Sequence, residues 1–116
     1  MRALSFEALG DNAFHARISQ TGGLAIVMFT APGCGACRRA LTLLPRLAAE
    51  TSIEHLFLVD VETSTGLARE FEVFHLPALM LFRDGVYHAR IDAELTSASF
   101  SAALATALAA PAEEAP

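Results

Sequence analysis

The chain reads as an α/β fold in which one sheet is covered by helices on both faces. Three observations carry this. The order of elements is β-α-β-α-β-α-β-β-α. The runs 24–29, 56–59 and 78–82 are apolar without polar alternation, as central strands buried on both faces require. The length of 116 residues, 53% of them hydrophobic, suits one domain with one sizeable core.

Residues 4–8 are a short strand candidate. Gly10-Asp11-Asn12 makes a turn and N-cap for a helix with Phe14 and Ile18 on one face. Thr21-Gly22-Gly23 ends that helix and launches the strand 24–29. A helix over 38–50 then repeats apolar residues at Leu41, Leu44, Leu47 and Ala48. Pro45 lacks a backbone donor and crowds the preceding turn, so a kink is expected there. After the strand 56–59, Thr63 or Ser64 caps a helix carrying Leu67 and Phe71. Leu76-Pro77 opens the strand 78–82, and Asp84-Gly85 is a hairpin turn into 86–91. Thr96 caps a last helix with Phe100, Leu104 and Leu108 on one face. Residues 111–116 lack large apolar side chains and are expected to be a disordered tail.

The chemistry concentrates in Cys34-Gly35-Ala36-Cys37, which holds the only two cysteines. The motif sits at a strand-to-helix junction. Unpaired N–H groups and the macrodipole there favour a thiolate at Cys34, and Cys37 lies one turn on. Such a pair is redox-active or metal-binding more often than a structural staple. Zinc needs four ligands, and no second C-x-x-C or H-x₃-H is present, so no metal site is expected within one chain. A half-site shared between two chains remains the alternative. The formal net charge of −5 and the absence of a basic stripe argue against nucleic acid. The longest apolar run is too short to span a bilayer. The stretch 1–7 acquires Glu7 without a continuous apolar region, so a cytoplasmic location is expected.

With the dithiol, the downstream Leu76-Pro77 and the closing Asp84-Gly85 hairpin in this order, the chain resembles the thioredoxin family over nearly its whole length. The resemblance implies a thioredoxin-like three-layer α/β/α sandwich occupying 1–110, with a mixed sheet of about five strands and with four helices. It implies a thiol–disulfide oxidoreductase in which Cys34 attacks a substrate disulfide and Cys37 resolves the mixed disulfide. Pro77 is expected to be cis, holding the Leu76 backbone for pairing with an extended peptide. Taken without that context, it is an ordinary proline at a strand's first residue. Gly33 and His75 join Leu76 and Pro77 as substrate-binding candidates. His75 either faces the dithiol or is a solvated loop residue. No bound cofactor is implied. The implied partners are disulfide-bearing proteins and an NADPH-dependent flavoprotein, thioredoxin reductase, acting on a monomer.

The departures from the family pattern carry their own expectations. Gly33 replaces an aromatic residue, often Trp, and opens access to Cys34. Ala36 replaces a common proline; if its N–H points at Cys34, it stabilises the thiolate and makes the pair more oxidising. Met28 and Leu58 stand where a buried aspartate and a lysine are usual, so the general base is lost and slow resolution is expected. Asp60, Asp92 and Glu94 are nearby by chain position only. Arg38 and Arg39 are a solvated first turn or a local bias toward thiolate, and His15, His55 and His88 are expected at the surface. The apolar Met28 and Leu58 favour a second function, a peptide-binding or chaperone-accessory module with weak redox activity.

Overall fold

The computed structural model describes residues 4–116. Met1, Arg2 and Ala3, the start of the stretch read for a leader, lie outside the described residues. The elements are β1 (Phe6–Ala8), α1 (Phe14–Ser19), β2 (Leu24–Thr30), α2 (Gly35–Ala49), β3 (Ile53–Asp60), α3 (Thr65–Glu70), β4 (Ala78–Arg83), β5 (Val86–Ile91) and α4 (Ser97–Ala109). They form one five-stranded sheet in the order β1-β3-β2-β4-β5. β3 runs parallel to β1 and β2, while β2–β4 and β4–β5 are antiparallel. The three non-alternating runs are therefore the three inner strands.

Alternation along β2 shows why these runs are apolar throughout. Ala25, Val27 and Phe29 point into a cluster with Phe14 and Ile18 of α1 and Leu67 of α3. Ile26 and Met28 point the opposite way, into a cluster with Ala40 and Leu44 of α2 and Phe100 and Leu104 of α4. A strand sealed on both faces has no position left for a solvated side chain.

The hairpin turn places Asp84 at φ 51° and Gly85 at φ 81°, the paired left-handed conformation of a two-residue loop. Thr96 caps α4 by accepting from the Ser99 N–H at 3.2 Å. Three local expectations are corrected. The first concerns the Gly10-Asp11-Asn12 cap. The N-cap of α1 is Ala13, with no side-chain bond, and Asp11 instead accepts from the Leu67 N–H at 3.0 Å. Asp11 thus caps α3 across space, where Ser64 makes no capping bond of its own. Second, α2 begins at Gly35 rather than Arg38. Third, His88 is buried at 7% exposure, its Nε2 2.7 Å from the Ala107 carbonyl. That carbonyl, near the end of α4, supplies the partner a buried imidazole needs. In the segment 111–116, the Glu113 N–H donates to the His88 carbonyl at 2.7 Å. The Glu113 carboxylate accepts from the Arg90 N–H at 3.1 Å.

Candidate active site

β2 delivers the chain to Ala31-Pro32-Gly33, and the turn into α2 follows at once. Gly33 adopts φ +80°, with nothing within 4 Å of where a Cβ would sit. The glycine is required here by backbone conformation rather than by crowding. Cys34 is the N-cap of α2, with extended φ −86° and ψ 109°. Its sulfur accepts from the Cys37 N–H at 3.2 Å, satisfying one of the orphan donors that open the helix. The donor is the Cys37 N–H, so the condition set for Ala36, that its own N–H points at Cys34, is not met.

Cys34 and Cys37 form a disulfide with Cα atoms 5.2 Å apart. The two sulfurs have different surroundings. Cys34 is partly exposed, whereas Cys37 is 1% exposed and packs in the apolar cluster with Met28, Ala40, Leu44 and Leu79. Arg38 and Arg39 are exposed.

The Leu76–Pro77 peptide bond is cis. Leu76 packs against both apolar clusters, straddling the end of the sheet. Beside Pro77 runs a groove of about 380 Å³ lined by Ala36, Arg39 and Leu43 of α2 and by Glu94, Leu95 and Thr96. Gly33 and His75 are exposed and do not line this groove. Asp92 is likewise exposed and outside it. Asp60 is committed to a turn, accepting from the Glu62 N–H at 2.8 Å. Among the described residues, no group of three or more His, Cys, Asp or Glu side chains is placed to hold a metal ion. Nor is any helix of the described residues long and apolar enough to cross a membrane.

The chain thus holds a disulfide at a strand-to-helix junction, and a groove shared by α2 and the cis Pro77. The family profile described as Thioredoxin matches residues 5–106. The chain belongs to the thioredoxin family. It is 36% identical over 67 residues to the thioredoxin of Chlamydia trachomatis serovar D, covering 58% of this chain and 66% of that one. The chain thus spans just under two thirds of the length of that relative. With the thioredoxin of Mycolicibacterium smegmatis it shares 31% identity over 87 residues, 72% of this chain and 78% of that one. A solved chain from work on thiol resolution in yeast mitochondrial 1-Cys peroxiredoxin via glutathione/thioredoxin systems superposes with a TM-score of 0.67. It is 24% identical, over 78% of this chain and 86% of that one, a likeness of fold.

Sequence reasoning missed Arg39, Leu43, Leu95 and Thr96 as groove residues. A signal existed for α2: Ala36, Arg39 and Leu43 fall at helical spacing on one face.

Proposed function

We propose that the chain is a thiol–disulfide oxidoreductase that reduces or exchanges protein disulfides through Cys34 and Cys37. One observation carries the reading: the sulfur of a partly exposed cysteine at a helix N-cap, accepting a backbone N–H, is bonded to the sulfur of a buried cysteine one turn on. In the reduced form, the helix terminus stabilises Cys34 as a thiolate. That thiolate attacks one sulfur of a substrate disulfide, forming a mixed disulfide and expelling the other substrate sulfur as a thiolate. Cys37 loses its proton and attacks the Cys34 sulfur, closing the internal disulfide and expelling the second substrate thiolate. The substrate gains two electrons and takes up two protons, and the domain loses as many. An external NADPH-dependent thioredoxin reductase returns the electrons.

The substrate's main chain lies along Leu76, beside Pro77. No hydrogen bond to another described residue holds the main chain of Phe74, His75 or Leu76, so the Leu76 peptide groups are open to an added strand. The domain works as a cytoplasmic monomer of residues 1–110 without a bound cofactor.

The apolar Met28, packed with Cys37 where a proton acceptor would serve resolution, favours a second reading, a peptide-binding module with weak redox activity. Reduction of insulin with dithiothreitol as electron source separates the two. Catalysis by the wild type that is lost in both Cys34→Ser and Cys37→Ser establishes the oxidoreductase. Wild-type rates at background leave the binding module.

A further inference from the structure

We propose that Arg90 is a positioning residue for the loop that presents Leu76 and Pro77 to a polypeptide substrate; the inference rests on the peptide-disulfide reading above. α3 ends in a double-bonded C-cap. The Val73 N–H donates to the Ala68 carbonyl at 2.9 Å and the Glu72 N–H to the Arg69 carbonyl at 3.2 Å, with Glu72 left-handed at φ 52°. This geometry turns the chain out of the helix and leaves the carbonyls of Phe71 and Glu72 beyond the helical ladder. Arg90, reaching over from β5, donates through Nη2 to both, at 3.1 Å and 3.4 Å.

The loop main chain is thereby held by hydrogen bonds at both ends, with the Leu76 side chain packed between them. Downstream, Ala78 pairs with Phe29 in the sheet. Upstream, the Arg90 guanidinium holds the two carbonyls at which the loop leaves α3. Among the described residues no hydrogen bond holds the main chain of 74–76, so its course is set by the packing of Leu76 against the two apolar clusters and by where those ends are held. Arg90 is itself held twice, by its register with Met80 and by the Glu113 carboxylate on its N–H. A cation on two carbonyl acceptors makes a stronger contact than a neutral donor. It also favours a left-handed non-glycine residue that would otherwise be disfavoured at the loop entrance.

The test compares wild type, Arg90→Ala and Arg90→Lys on two disulfides: a disulfide-linked peptide, and a small aromatic disulfide that offers no main chain to Leu76. Arg90→Ala is expected to raise KM for the peptide about tenfold. kcat should be little changed, and the rate with the small disulfide should stay within about twofold, since Cys34 is untouched. Arg90→Lys, which keeps a cation, should recover part of the loss. An equal fall on both substrates, or no change on either, overturns the proposal. Hydrogen exchange makes the test independent of turnover. The Glu72 and Val73 amides should exchange about tenfold faster in Arg90→Ala while the amides of β2 do not. Unchanged exchange there overturns the positioning role, whereas a wild type inactive on both disulfides overturns only the oxidoreductase reading.

Discussion

Met28 stands beside Leu58 in register across the parallel β2–β3 pair, and it shares an apolar cluster with Cys37. The cluster around Cys37 therefore holds a methionine at the position where the family resemblance implied a buried carboxylate. Exchanging both members of a buried charged pair for apolar residues is tolerable for stability, yet it withdraws a proton acceptor from the step that needs Cys37 as a thiolate. Met28→Asp is expected to speed dithiothreitol-driven insulin reduction by roughly tenfold or more. It should cost about 2–4 kcal/mol of stability, because the new carboxylate is buried without a partner. Turnover assays and urea denaturation of the same variant read both effects.

Ala36 occupies the first turn of α2, while the donor to the Cys34 sulfur is the Cys37 N–H. Proline is tolerated in a first turn, where its missing N–H has no helical acceptor. Ala36→Pro should therefore leave the Cys34 contact in place and shift the dithiol–disulfide equilibrium by less than about threefold. Equilibration against glutathione measures it. A large shift toward a more reducing pair would restore Ala36 as the controlling donor.

Glu72 holds a left-handed conformation at the end of α3, at φ 52°. Glycine adopts that conformation without a Cβ penalty, so Glu72→Gly is expected to stabilise the fold by about 0.5–1 kcal/mol. A rise of a few degrees in Tm is the expected readout.

Burial raises the Tyr87 phenol above its ordinary value of 10.0, and the Glu113 charge acts in the same direction. The unfolded chain releases this proton near the ordinary value while the folded chain still holds it. The stability difference is therefore absent below that pH, and stability falls as pH rises through the unfolded value. Tyr87→Phe should flatten the decline in urea midpoint between about pH 9 and 11.

The centre of the sheet is legible in the sequence because burial on both faces removes alternation from β2, β3 and β4. The dithiol is legible because helix initiation makes it local: Cys34, its turn and its helix are contiguous. Contacts closed across space are not legible. Asp11 lies next to α1 in the chain but caps α3. His88 looks like a surface residue until the Ala107 carbonyl is brought to it. Arg90 has no motif, and its role depends on β5 lying within reach of the end of α3. At the site itself, the spacing Cys34/Cys37 leaves open which N–H of the first turn meets the sulfur; the helical geometry decides for Cys37.

Whether Cys34 opens a partner's S–S bond while Cys37 releases it can be read by mass spectrometry of the two single-cysteine variants after exposure to a disulfide-linked peptide. Cys37→Ser is expected to accumulate a stable adduct of one peptide half on Cys34, with none forming on Cys34→Ser. An unmodified Cys37→Ser, or equal adducts on both variants, would contradict the assignment of nucleophile and resolving thiol.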